Sequence, residues 1–349
     1  MNRIEAGILG ATGMVGQHFI KFLDGHPLFD LTWLGASERS AGKRYSDAAK
    51  WHLSATAPES AARLTVEDAK PGNAPQLLFS AMDASVATEI EQAFAKAGHT
   101  VVSNSRNHRM DPDVPLLVPE INADHLQLLP HQQALREWKG QIVTNPNCST
   151  IVLTMGLAPL AQFGITRIIT TTLQAVSGAG YPGVPSMDIL GNVIPYIGNE
   201  EEKMQEETQK IMGTFTGDRI QPLAAKVSAH CNRVAVVDGH TVTISVEFST
   251  KPTEADIRNA FDTYSSVPQQ RHLPSAPQRP VQYMPEADRP QPRKDAERER
   301  GMATFVGRLR PCPVFDWKFV ALGHNTIRGA AGAAVLNAEL MHSEGLLCR

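Results

Sequence analysis

The sequence has no uninterrupted apolar run of the roughly 18 residues that a membrane-spanning helix requires, so no membrane partner is expected. It has no excess of positive charge. Its 33 Lys+Arg against 36 Asp+Glu leave a net charge of −3 and no basic footprint of the kind nucleic-acid binding needs. It also has no cysteine pair at metal-binding spacing: Cys148, Cys231, Cys312 and Cys348 lie far apart, and no metal is expected. Residues 1–9 show no charged segment followed by an apolar stretch, so no secretory signal is read there. The expectation is a cytoplasmic chain with reduced cysteines, each either a buried apolar residue or a nucleophile.

What is present is the composition of an ordinary globular protein, 42% hydrophobic and 20% charged. At 349 residues the chain exceeds the size at which one core usually stops growing, so two domains are expected. Up to about residue 147, short apolar runs alternate with amphipathic segments. Strands are expected at 4–9, 31–35, 77–80, 100–103 and 141–144, and helices at 14–23 and 86–97. That alternation predicts an α/β fold opening on a Rossmann-like domain with a parallel sheet. Residues 148–325 change character. Long β-branched runs at 167–176, 226–237 and 240–248 suit a second, α+β domain, and Asp238-Gly239 between the last two reads as a hairpin turn. Residues 267–300, rich in Pro, Gln and Arg, read as a solvated surface loop. The Ala-rich segment 329–341 is helical, and the chain from 326 to 349 is expected to pack back on the first domain.

Gly10-Ala-Thr12-Gly13-Met14-Val15-Gly16 sits where the first strand turns into the first helix. Glycines there let the backbone approach a pyrophosphate, and the helix N-terminus offers unpaired N–H groups, so this turn is the candidate cofactor loop. The end of the second strand carries no acidic residue in the position that holds an NAD ribose. It carries Ser37, Arg39, Ser40 and Lys43, a set able to bind a 2′-phosphate, which favours NADP. The competing reading is a basic surface loop, and Glu38 suits a phosphate site only if it points away.

Asn145-Pro-Asn147-Cys148-Ser-Thr150 ends a strand and opens an apolar helix. A thiolate there is stabilised by the dipole and by backbone N–H groups, which also form a ready oxyanion hole. Position therefore selects Cys148 as the nucleophile. His240 follows the Asp238-Gly239 turn and is the candidate base, against the alternative of a surface imidazole. Arg233 is a candidate clamp for a substrate carboxylate.

The segments GILGATGMVG (7–16), SNSRNHRMDPDVPLLVPEIN (103–122), NPNCST (145–150), QAVSGAG (174–180), EEEKM (200–204), RVAVVDGH (233–240) and GHNTIRGAAG (323–332) resemble, in order, those of the aspartate-β-semialdehyde dehydrogenase family in its archaeal and fungal form. The resemblance implies that Cys148 attacks an aspartyl phosphate, expels phosphate and forms a thioester that NADPH reduces to the semialdehyde, in the synthesis of threonine, methionine and lysine. It implies His240 as acid/base and Gln174 as a positioner of the acyl group. It gives Arg233 the α-carboxylate, Glu201 the amino group, and Arg109 and Lys203, with Asn147 beside them, the phosphate. Ser177, Gly178 and Asn325 would lie near the nicotinamide, and the assembly would be a homodimer or homotetramer. Without the resemblance, Glu201 and Lys203 read as part of a solvated helix face. Arg106 is an extra cation that competes with Arg109 for the role of phosphate ligand, and Ala235 stands where the family often has Pro. Two related chemistries use the same nucleophile, a malonyl-CoA reductase and an N-acetyl-glutamyl-phosphate reductase. Glu201 with Arg233, matched to a zwitterion, favours the aspartyl substrate over malonyl. A non-catalytic NADP-binding regulator on the same fold is the reading from another class, and intact Cys148 and His240 argue against it.

Overall fold

The computed structural model describes residues 3–347, so Cys348 lies outside the described residues. Six strands, β1 (Ile4–Leu9), β2 (Phe29–Ala36), β3 (Val66–Asp68), β4 (Leu77–Ser80), β5 (Thr100–Ser103) and β6 (Gln141–Thr144), form one sheet in the order β3-β2-β1-β4-β5-β6. All its pairings are parallel. This is the doubly wound arrangement, and its strands read as apolar runs because both faces are covered. Leu77 and Phe79 of β4 pack with Phe19, Ile20 and Leu23 of helix Met14–Leu23, while Leu78 between them packs with Phe94 of helix Ala84–Ala97 on the other face. The latter helix is delimited by its sequence: the Asp83 carboxylate accepts the Ser85 amide at its start, and Gly98, at φ 111°, closes its end. Helix Gly332–Ser343 returns to this domain, with Ala334, Val335, Ala338 and Met341 in the core that holds Phe19.

The second sheet is mixed. After β7 (Ile165–Gln174) and the two-residue strands β8 (Thr214–Phe215) and β9 (Ile220–Gln221), it takes up β10 (Lys226–Arg233), β11 (His240–Phe248), β12 (Val281–Met284), β13 (Thr304–Pro311) and β14 (Trp317–Gly323) in the order β10-β7-β11-β14-β13-β12. One face packs on helices Cys148–Leu157, Glu200–Ile211 and Glu254–Thr263, and on the other Ile169 and Leu173 are exposed.

Two expectations fail here. Asp238-Gly239 does not close a hairpin, because β7 lies between β10 and β11, parallel to the first and antiparallel to the second. The 234–239 segment instead arches over the end of β7, where the Val176 amide donates to the Val236 carbonyl (2.8 Å). Gly239 still takes the positive φ (96°) that its turn requires. Nor is 267–300 a solvated loop. It contributes the edge strand β12, buries Leu273 in the first domain's core, and buries Asp295 in ion pairs with Arg289 and Arg298. Its Pro-rich composition concealed a strand only four residues long.

Candidate active site

A cavity of about 870 Å³ runs between the two sheets, from the glycine turn to Cys148. At its cofactor end, Thr12, Gly13, Met14 and Val15 line the wall. Helix Met14–Leu23 begins there with no side chain capping its N-terminus, which leaves its first N–H groups free for an anion. Gly10 lies behind the lining, at φ +76°, and a Cβ on Gly16 would sit 2.4 Å from the Gly10 carbonyl oxygen, so the turn tolerates no side chain at either place. The residues thus fit a dinucleotide pyrophosphate.

Ser37, Arg39, Ser40 and Lys43 do not line this cavity. They form a surface loop beyond β2, held by the Lys43 ammonium donating to the Arg39 carbonyl (2.8 Å). Lys43 is thus partly engaged with its own loop. A 2′-phosphate reaching this loop would lie outside the cavity.

At the far end Cys148 opens helix Cys148–Leu157. Asn147 is the N-cap, its side-chain oxygen accepting the Ser149 and Thr150 amides at 2.9 and 3.1 Å. Its Nδ2 donates to Glu200 (2.7 Å), so Asn147 orients the nucleophile's helix and has both ends of its amide occupied, which leaves little of it for a phosphate. Cys148 Sγ lies 3.1 Å from His240 Nε2. His240 is wholly buried, and its Nδ1 accepts the Ala175 amide at 3.0 Å. A ring that accepts at Nδ1 carries its neutral-state proton on Nε2, so His240 is set as a donor toward the sulfur. To take a proton at Nε2 it must release the Ala175 amide. Burial pulls the His240 pKa down to about 3, and the Arg233 guanidinium adds to the effect.

The thiol departs from the sequence expectation. Burial pushes Cys148 up to about 12, helped by the Glu200 carboxylate, against the opposing effect of Arg233, Arg109 and the Ser149 amide. Helix-start stabilisation is present but outweighed in the free protein.

Arg233, Arg109, Lys203, Ser177, Gly178 and Asn325 all line the cavity. Arg233 Nη1 donates to the Ala175 carbonyl (2.7 Å), and Asn325 links the Gly239 amide to the Ser177 hydroxyl (both 2.8 Å). Gly178 fits because a Cβ there would come within 2.9 Å of Arg233 and 3.1 Å of His240. Arg109 Nη2 donates to the Asn104 carbonyl (2.8 Å), while Arg106, also in the lining, is exposed.

Two readings need correction. Glu201 does not face the cavity: its carboxylate accepts the Cys231 amide on β10 (3.0 Å). Glu200 faces it instead, one helix position earlier, with Lys203 Nζ 3.2 Å away. Gln174 does not line the cavity either. Its Nε2 donates to Glu200 (3.0 Å) and its Oε1 accepts from Thr172 (2.9 Å), so it supports the carboxylate from behind.

Sequence reasoning missed several residues altogether. His18 and His52 enter the lining, and His52 stacks on Tyr181 at 3.8 Å, joining the two halves across the cavity. Gly329, in a π turn (Ile327–Ala331), packs so closely that a Cβ would lie 2.6 Å from that of Cys148. An isolated glycine in an Ala-rich run gave no signal of this.

This geometry, a cysteine–histidine pair at one end of a dinucleotide cavity, is that of a reductase acting on a carbon held by sulfur. Residues 5–129 match the family model described as semialdehyde dehydrogenase, NAD binding domain, and residues 157–328 that described as semialdehyde dehydrogenase, dimerisation domain. The chain is 48% identical over 344 residues to the aspartate-semialdehyde dehydrogenase of Methanothermobacter thermautotrophicus, covering 97% of this chain and 99% of that one. It superposes on the crystal structure of aspartate semialdehyde dehydrogenase with NADP from Candida albicans with a TM-score of 0.93, at 42% identity, covering 99% of this chain and 100% of the other. The aspartate semialdehyde dehydrogenase II of Vibrio cholerae, solved in complex with ASA, gives 0.77 at 26% identity over 99% of each chain. The chain belongs to the aspartate-semialdehyde dehydrogenase family.

Proposed function

We propose that the chain converts L-4-aspartyl phosphate, with NADPH, to L-aspartate 4-semialdehyde, phosphate and NADP, as a step toward threonine, methionine and lysine. The observation that carries the reading is the Cys148–His240 contact of 3.1 Å in a cavity lined by Arg233, Arg109, Lys203 and Glu200. Arg233 holds the α-carboxylate and Glu200, in place of Glu201, the ammonium. Arg109 and Lys203, with Arg106 at the rim, receive the phosphate. The Cys148 sulfur attacks the acyl carbon as its proton passes to His240 Nε2, in the ring tautomer that has released the Ala175 amide. The carbon–oxygen bond to phosphate breaks, phosphate leaves toward Arg109 and Lys203, and the acyl group stays on sulfur, electrophilic enough to be reduced as a carboxylate is not. The protonated His240 then donates from Nε2 to the oxyanion that develops beside it, where the backbone amide of Cys148 itself, rather than the capped Ser149 and Thr150 amides, adds its N–H. When the carbon–sulfur bond breaks to free the semialdehyde, His240 returns the proton to the sulfur. NADPH, when bound along the glycine turn, supplies the hydride. Gln174 and Asn147 hold Glu200 in register, and Ser177, Gly178 and Asn325 form the wall between sulfur and cofactor.

Residues 1–147 with the returning C-terminal segment are taken as the cofactor domain, and 148–325 as the catalytic and dimerisation domain. The open face of the second sheet, with Ile169 and Leu173, is the proposed contact in a homodimer or in the homotetramer built from it, in the cytoplasm.

The decisive test is NADP reduction by aspartate semialdehyde with phosphate, against malonate semialdehyde with CoA. Turnover is expected only with the first pair, because a malonyl group brings no ammonium to Glu200. Turnover only with the second assigns the reaction to a malonyl-CoA reductase. A Cys148→Ala variant should be inactive while folded. Comparable kcat/KM with NAD would remove the role of Arg39 and Lys43.

A further inference from the structure

Helix Glu200–Ile211 carries charges of alternating sign at 200, 203, 207 and 210, a spacing of three, four and three residues that places all four on one face. The first two reach the cavity. The last two, Glu207 and Lys210, do not line it, yet they are only 2% and 6% exposed. Buried charges of this kind persist only when matched by partners, and here the partners are specific.

One carboxylate oxygen of Glu207 accepts from Arg109 Nη1 (3.0 Å) and the other accepts the backbone amide of Asn147 (2.6 Å). A single side chain thus spans the guanidinium beside the leaving group and the residue that caps the nucleophile's helix. Lys210 Nζ donates to the carbonyls of Arg109 (2.7 Å), Asp111 (2.7 Å) and Val114 (2.9 Å). An ammonium has three hydrogens, and all three are committed to the loop that carries Arg109. The Asp111 side chain is held in turn by His108 (2.8 Å) and Arg136 (2.7 Å). Arg109 is therefore fixed at its guanidinium by Glu207 and at its backbone by Lys210, from the helix that also presents Glu200 and Lys203, while its Nε finds no protein partner among the described residues.

We propose that Glu207 and Lys210 are positioning residues that hold Arg109 at a set distance from Cys148, so that phosphate meets an already oriented guanidinium. The inference rests on the reading of Arg109 as a phosphate ligand. Pre-orientation is worth most where a long, rotamer-rich side chain would otherwise have to be ordered on binding.

The test is steady-state kinetics in the direction that consumes phosphate, with KM measured separately for phosphate and for semialdehyde in Glu207→Gln, Lys210→Met, Arg109→Ala and the Arg109→Ala/Glu207→Gln double variant. Glu207→Gln is isosteric, but a carboxamide cannot accept from both Arg109 and Asn147 through its two ends. It is expected to raise the phosphate KM about tenfold while the semialdehyde KM stays within about twofold. Lys210→Met should act in the same direction; if it fails to fold, Glu207→Gln alone decides. Arg109→Ala should raise the phosphate KM at least as far, and adding Glu207→Gln to it should raise it no further, because the carboxylate acts through the guanidinium. An unchanged phosphate KM in Arg109→Ala removes the reading of Arg109 and this proposal with it. A phosphate KM that rises in Arg109→Ala but not in Glu207→Gln overturns the positioning role alone. So does a Glu207→Gln effect that raises both KM values equally, adds in full in the Arg109→Ala background, or lowers the phosphate KM by freeing Arg109 from a competing anion.

Discussion

At the scale of the residue, the tension in this site lies at Cys148. The sequence puts the sulfur where a helix favours a thiolate, and the fold surrounds it with low-dielectric protein and a carboxylate that favour the thiol. With its pKa raised to about 12, the group holds its proton through neutral pH and releases it only in the alkaline range. Iodoacetamide labelling of Cys148 in the free enzyme should therefore be slow at neutral pH and rise about tenfold per pH unit above it. The Glu200 carboxylate is one cause of the shift, so Glu200→Gln should move the labelling profile to lower pH, even as it impairs turnover by removing the ammonium partner. Mass-spectrometric labelling against pH, with buried Cys231 as the slow internal control, measures both. A profile that stays put or moves upward in Glu200→Gln would contradict the electrostatic assignment.

At the scale of the element, the π turn Ile327–Ala331 presents a bare glycine to the nucleophile. A methyl group on Gly329 has nowhere to go but against Cys148, so Gly329→Ala should displace the sulfur from His240 and lower kcat about a hundredfold, with phosphate KM little changed. A kcat within about threefold of the parent would show that the turn yields instead. Elements also explain what could be read from the sequence. The parallel sheet, the glycine turn and the Cys148 helix were legible because each is announced locally, by apolar runs or by a turn-and-cap pattern. The Asp238-Gly239 turn misled because strand partnership is non-local: a turn dipeptide reports that the chain bends, and it cannot report that β7 occupies the space between β10 and β11. Glu201 follows from the resemblance alone, and three consecutive glutamates give no local sign of which one the fold turns to the cavity. The 200, 203, 207, 210 periodicity did carry the helix phase, but charged stripes ordinarily face water.

At the scale of the whole molecule, on the domain division proposed above, the chain crosses between its halves at Cys148 and again near Gly329, and the site lies where it does so. The second crossing is secured by Arg328, which pairs with Glu120 at 2.6 Å with both side chains wholly buried. Tyr264, beyond the Glu254–Thr263 helix, donates to the Glu120 carbonyl at 2.6 Å, so the second domain grips the same point. Removing one member of a buried pair strands the other charge, at a cost of about 3–5 kcal/mol. Arg328→Met should accordingly lower the apparent Tm by on the order of 10 °C. Glu120→Gln added to it should restore part of that loss, because no unpaired charge then remains. Arg328 directly precedes Gly329, so the single variant should also lose turnover below its melting temperature, as the π turn shifts against Cys148. Scanning calorimetry of the two variants beside kcat at a temperature where both are folded separates these effects. If Arg328→Met melts within a degree of the parent, or if the double variant is the less stable, the pair is an incidental contact and the crossing is held by the apolar packing of Ala331, Ala334 and Val335 against Phe19.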